Sequence, residues 1–196
     1  MTGFPFYDGN SSNYQLPLEL QQFLDTGEPP IVFTLGSAAV LAPGNFYAAS
    51  VEATQRLNRR AVLLIGQNSP SEPLLESVIA IGYVPYSMIF PRACAIVHQG
   101  GIGTTAQALR AGRPTVVVPY SHDQPDNAAR VKRLGTSFTI AGQQYSATRV
   151  IKALGELLRN PTYTTKAAEI GHTIQSENGV GVASDAIEQQ LEVLTK

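Results

Sequence analysis

Between Cys94 and Thr105 the chain reads CAIVHQGGIGTT, an apolar run followed by a histidine, three glycines and two threonines. Those residue types in that order suit an anion held by the main chain. Glycines at 100, 101 and 103 let the backbone turn tightly and approach a phosphate with no Cβ in the way. A helix that begins there presents amide N–H groups that have no partner within the helix. Each amide–oxyanion hydrogen bond contributes about 1.5–3 kcal/mol, and the helix dipole adds roughly 0.3–1 kcal/mol. Thr104 and Thr105 offer hydroxyls and His98 an imidazole, so a diphosphate can be held without a basic surface.

Two further stretches carry candidate chemistry. TLGSA places Gly36 and Ser37 at the end of another apolar run, and GYVPYSMIFPRA sets Tyr83 and Tyr86 on either side of Pro85. A tyrosine exposed there can stack on a base, worth roughly 0.5–1.5 kcal/mol beyond its area burial. GIGTTA also fits the dinucleotide fingerprint G-x-G-x-x-A, with Asp123 twenty residues beyond Gly103 as if to meet a ribose. That alternative is an NAD-dependent oxidoreductase. Against it, the fingerprint belongs to a first strand–helix unit, and here it follows the fourth strand with little sheet left downstream.

The elements that must position these residues are legible as alternating runs. IVFTLG (31–36), AVLLIG (61–66), SVIAIG (77–82), CAIVH (94–98), TVVVP (115–119) and TSFTI (136–140) read as six strands, mostly apolar throughout. Strands of that kind belong to a parallel sheet covered on both faces. Phe46, Ala49, Ala53 and Leu57 recur at helical spacing, GTTAQALRAG reads as a helix ending near Gly112, and DQPDNAARVKRLG as another with Ala128, Val131 and Leu134 on one side. The fold class is therefore α/β, a Rossmann-like parallel six-stranded sheet flanked by helices, with strand order 3-2-1-4-5-6. That order brings Gly36-Ser37 and the glycine turn to one crevice. Residues 1–30, rich in Asn, Ser, Pro and Gly around LELQQFLDTG, read as a linker with a lead-in helix, and 31–196 as one domain. Three helices follow Ile140: one from Ser146, one from Asn160-Pro161, and one after Asn178-Gly179 with Ala183, Ile187, Leu191 and Leu194 on one face.

The totals narrow the function classes. With 196 residues, 43 % hydrophobic and 15 % charged, the chain can bury one sizeable core. A net charge of −1 without a long basic run argues against a nucleic-acid binder. The single cysteine, Cys94, excludes an internal disulfide framework and points to a reducing compartment. No run approaches the roughly 18 apolar residues of a membrane span, and MTGFPFYDGNSSNYQ has no signal-peptide pattern. A cytoplasmic protein is expected.

GYVPYSMIFPRACAIVHQGGIGTTAQALRAGRPTVVVPYSHDQPDNAARVKRLG resembles the donor-binding half of the UDP-glycosyltransferase family, in the style of the bacterial and fungal branch that glycosylates sterols, macrolides and glycopeptides. The joint pattern H-x-G-G-x-G-T-T, A-G-x-P, D-Q-P-x-N-A is far more specific than any one glycine motif. The resemblance implies the C-terminal half of a GT-B fold. It implies a UDP-sugar or TDP-sugar co-substrate, no other cofactor and no metal, in keeping with the lack of a D-x-D sequence. It implies that His98, Gly100, Gly101, Gly103, Thr104 and Thr105 hold the diphosphate, with Ser37 helping beside Gly36. Tyr83, Val84 and Pro85 would meet the base, Gln107 the ribose, and Asp123 and Gln124 the sugar hydroxyls. His98 would stabilise the departing diphosphate. Gln99 stands where bacterial members have a second histidine, and Gln107 where plant members have glutamate; both departures leave base and sugar open. His122 reads as a loop residue within reach of the sugar, and His172 as a solvated helix residue.

The same resemblance implies an inverting transfer of a hexose to a hydroxyl of a small-molecule acceptor. The general base would come from an N-terminal acceptor domain that this chain lacks, so the chain is expected to bind and not to turn over alone. A non-catalytic nucleotide-sugar-binding module is the alternative, and a UDP-sugar epimerase a minor one. In complete enzymes of the kind the last helix packs on the partner domain. Here Ile187, Leu191 and Leu194 are expected to lack that partner and to favour a homodimer.

Overall fold

The structure, a computed structural model, describes residues 2–7, 14–70 and 73–194. All six apolar runs enter one parallel sheet in the order β3-β2-β1-β4-β5-β6. The strands are β1 (Ile31–Thr34), β2 (Ala61–Leu64), β3 (Val78–Ile81), β4 (Ala95–His98), β5 (Thr115–Val117) and β6 (Ser137–Thr139). Each is shorter than the apolar run containing it. β1 pairs only as far as Thr34, because the chain leaves extended geometry at Leu35 and Gly36, the latter at φ +67°.

Alternation along each strand splits the core into two layers. Ile31, Phe33, Leu63, Val97 and Val116 face one way, onto α3 (Phe46–Arg56) and α7 (Ala147–Arg159). Val32, Val62, Leu64 and Ile96 face the other way, onto α1 (Leu18–Asp25), α4 (Tyr86–Ile89) and α5 (Ile102–Arg110). Both faces are covered, which is why the strands show no polar alternation. The lead-in helix is thus part of the core, with Leu20 and Leu24 buried in the second layer.

A four-residue helix, α2 (Gly36–Ala39), follows β1, and α6 (Gln124–Arg133) follows β5. Ala128 and Val131 of α6 are buried, but Leu134 is half exposed, because it lies just past the last turn of the helix. α8 (Pro161–Gln175) begins at Asn160, whose side-chain oxygen accepts from the Thr162 amide, and it packs on α5. α9 (Gly179–Leu194) ends the described chain with Ile187 62 % and Val193 69 % exposed; the Leu194 side chain lies outside the described residues. Among the described residues no helix is long and apolar enough to cross a membrane.

The first residues hold a surprise. Phe4 and Phe6 pack with Leu109, Val131 and Ile174, and the Arg110 guanidinium lies 4.6 Å from the centre of the Phe6 ring. The aromatic start of the stretch read as a linker is therefore laid across α5, α6 and α8. Residues 8–13 of that stretch lie outside the described residues.

Candidate functional site

β1 and β4 are neighbours, with Thr34 opposite His98, and the sheet order reverses between them. The loops leaving their carboxyl ends diverge there and leave a crevice. A cleft of about 1320 Å³ opens at this point. Of the residues expected at a donor, Gly36, Ser37, Tyr83, Val84, Gly101, Gly103, Thr104, Gln107, Asp123 and Gln124 line it, together with His122.

Its floor is the start of α5. Gly101 is the N-cap residue, in extended geometry, and no side chain caps the helix. The first intrahelical bond runs from Thr105 N–H to Gly101 O at 2.9 Å, so the amides of Ile102, Gly103 and Thr104 have no partner within the helix. Ile102 and Gly103 are exposed, and none of the described residues lining the cleft is Lys or Arg. Attraction for an anion must come from the amides and the helix dipole.

The Gln99 side chain lies between the two loops. A Cβ on either Gly36 or Gly101 would collide with its amide, and its Nε2 sits 3.4 Å from Thr104 Oγ1. At the far wall Tyr83 is 65 % exposed, and Tyr14 holds its loop by donating to the Tyr83 carbonyl at 2.9 Å. Tyr86, which also borders the cleft, turns its ring inward. Its ring stacks on Phe90 at 4.4 Å, and its hydroxyl pairs with Thr34 Oγ1 at 3.0 Å.

On the other side Gln124 commits its carbonyl oxygen to the amides of Tyr120 and Ser121 at 2.8 and 3.2 Å. Only its NH₂ is left for a ligand. Asp123 accepts from Asn127 Nδ2 at 2.8 Å and does not cap α6. His122 sits at φ +58°, with Nδ1 2.6 Å from Ser121 Oγ. Among the described residues no three His, Cys, Asp or Glu side chains gather in one place.

Four expected donor residues, Pro85, His98, Gly100 and Thr105, do not line the cleft. The physical reason is clearest for His98. It lies at the end of β4, fully buried behind the Gly100 turn, whereas its register neighbour Thr34 on the same sheet face does line the cleft. There its Nδ1 accepts the Gly100 amide at 3.1 Å, so the ring steadies the glycine turn from behind. Burial lowers the His98 pKa from 6.5 to about 4, and the accepted bond needs the neutral ring. The unfolded chain therefore takes up the proton first as the pH falls. The stability that depends on neutral His98 is whole above pH 6.5 and is lost progressively towards pH 4, by about 3 kcal/mol at most. Urea unfolding across that range should show the loss in the native chain and a flatter profile in His98→Asn. Equal profiles would contradict it.

Several contributors were not anticipated. Phe4, Pro5, Phe6 and Tyr7 line one side of the cleft, and the FPFY cluster within a polar stretch was the available signal. Thr34 lines it from β1. Asn127, within the quoted D-Q-P-x-N-A pattern, lies four residues beyond Asp123 on one face of a helix, a spacing that predicts their contact.

The profile of the family described as erythromycin biosynthesis protein CIII-like, C-terminal domain, matches residues 52–188. The O-mycaminosyltylonolide 6-deoxyallosyltransferase of Streptomyces fradiae is 33 % identical over 100 % of this chain and 46 % of its own length. A sterol 3-beta-glucosyltransferase of Yarrowia lipolytica is 33 % identical over 98 % of this chain and 14 % of its own. The chain thus spans less than half the length of these relatives. Among solved structures, the glycotransferase of kitacinnamycin superposes with a TM-score of 0.77 at 26 % identity, covering 94 % of this chain and 47 % of that one. The glycosyltransferase VinC in complex with dTDP gives 0.66 at 25 % identity, over 83 % and 44 %.

Proposed function

Because the chain belongs to the glycosyltransferases with an erythromycin biosynthesis protein CIII-like C-terminal domain, we propose that its cleft holds a UDP-sugar or TDP-sugar for transfer of the hexose to a hydroxyl of a small acceptor. The observation that carries this reading is the juxtaposition of the free amides of Ile102, Gly103 and Thr104 with Asp123 and Gln124 around one cleft. The diphosphate lies across the start of α5. The base lies against Tyr83 and the Val84 backbone, and the sugar hydroxyls meet the Asp123 carboxylate and the Gln124 NH₂. The dTDP bound to VinC supports a pyrimidine nucleoside diphosphate.

In the transfer, an acceptor oxygen attacks the anomeric carbon from the face opposite the diphosphate, and the bond from that carbon to the phosphate oxygen breaks. The negative charge that develops on the departing diphosphate falls on the α5 amides, which are already oriented for it. His98 contributes by holding the Gly100 turn. The acceptor's proton goes to a base on a further half of the enzyme, in keeping with the length the relatives have beyond this match. On this reading the chain alone binds and does not turn over. The NAD alternative is not favoured: Asp123 stands at the start of α6, bonded to Asn127, and not at the end of β5.

Titration calorimetry with UDP, TDP and their glucose conjugates tests the proposal. Saturable binding of at least one is expected, weakened roughly tenfold by Thr104→Val through the lost hydroxyl. Absence of heat with all four would overturn it, and NAD binding in their place would restore the dinucleotide reading.

A further inference from the structure

We infer that Asn127 is a positioning residue that locks the diphosphate turn and the sugar-side carboxylate into one unit; the inference rests on the reading of the cleft as a nucleotide-sugar site. Its Nδ2 donates to Gly100 O at 2.9 Å and to Asp123 Oδ2 at 2.8 Å. A side-chain amide has two N–H hydrogens, so each is committed to one side of the site. Asn127 is 8 % exposed and does not line the cleft, so its effect on a ligand passes through those two partners.

Both partners are placed where this matters. Gly100 sits at φ +89° with its N–H given to His98 Nδ1 and its C=O taken by Asn127, so the polar groups of that residue are fixed before the chain enters α5. The direction of the amides that follow depends on that turn. Asp123, which lines the cleft, has one oxygen tied to Asn127 and caps no helix, so the Asn127 bond restrains the carboxylate and leaves its other oxygen for a ligand. The site needs a neutral side chain with two donors at this position. A carboxylate there would face Asp123 Oδ2 and Gly100 O with nothing to donate, and serine has one hydrogen for two acceptors.

Coupling of the two sides gives a signature that a purely structural residue would not. The readout is the ratio of affinities for a nucleoside diphosphate with and without its glucose, measured by calorimetry on the 196-residue chain. UDP and UDP-glucose are one pair, TDP and TDP-glucose the other. Asn127→Ala is expected to weaken the bare diphosphate a few-fold. It is also expected to cut the glucose gain roughly tenfold, to the value found in Asp123→Ala, as expected for a lost hydrogen bond to a charged group. Adding Asn127→Ala to Asp123→Ala should reduce the glucose gain no further. The near-isosteric Asn127→Asp should show the same loss, which keeps the test open where the alanine variant folds poorly. A glucose gain unchanged in both variants, or losses that multiply in the double variant, would overturn the inference while leaving the cleft's reading intact. A native chain that binds none of the four ligands would instead overturn the reading itself and the inference with it.

Discussion

Gly103→Val should weaken nucleoside-diphosphate binding by roughly a hundredfold while leaving the thermal midpoint unchanged or slightly raised. Gly103 is the second residue of α5, with ordinary backbone angles, and a Cβ built on it meets nothing within 4 Å. The added side chain therefore harms no packing, and replacing a helical glycine by valine favours folding by about 0.3 kcal/mol. Gly103 also lines the cleft, so the same open space is where a phosphate must approach the amides. An amide–oxygen bond needs about 2.7–3.2 Å between heavy atoms, and an isopropyl group on the intervening carbon prevents that approach. Losing one or two charge-assisted bonds costs about 3 kcal/mol. Gly103→Ala should fall between, near tenfold. Calorimetry paired with thermal unfolding checks both halves; full-strength binding by the valine variant would show that the phosphate lies elsewhere.

What made the fold legible was the unbroken apolarity of the strands. Ile31, Val32 and Phe33 are all buried, on alternate faces, and only a sheet covered on both sides asks that of consecutive residues. The crevice followed from strand order and the glycine turn after β4. Side-chain direction was harder to read. His98 and Gln99 are adjacent, and a reading by residue type favours the histidine as the ligand contact. His98 instead lies buried behind the Gly100 turn, while Gln99, just past the strand, borders the cleft. Strand parity does not decide this, since Thr34 shares the face of His98 and lines the cleft; the path of the loop after β4 does. Tyr86 turned inward for a similar reason, since its partners Thr34 and Phe90 depend on how α4 packs over the sheet. The seating of Phe4 and Phe6 on Leu109, Val131 and Ile174 joins residues more than a hundred positions apart, beyond any local pattern.

Gly100→Ala, three residues from Gly103, should behave in the opposite way and lower stability by about 3 kcal/mol. Two independent terms add. Gly100 lies at φ +89°, a conformation that an L side chain adopts at a cost of about 1–3 kcal/mol. Its Cβ would also come within 2.8 Å of Val117 Cγ1 and 3.3 Å of the Gln124 carbonyl. Val117 is fully buried in β5, between β4 and β6, so it cannot move aside without disturbing the sheet. Overpacking of that kind costs about 1–3 kcal/mol. The chain is of a size at which 1 kcal/mol shifts the midpoint by about 2–4 °C, so a fall of roughly 10 °C is expected. Binding should weaken as well, because the turn that His98 and Asn127 hold at both ends is the one displaced. The two glycines thus separate the requirements of the fold from those of the ligand within one motif. An alanine at 100 that left the midpoint unmoved would mean the turn can relax, and that the amides of α5 are not held in place for a diphosphate.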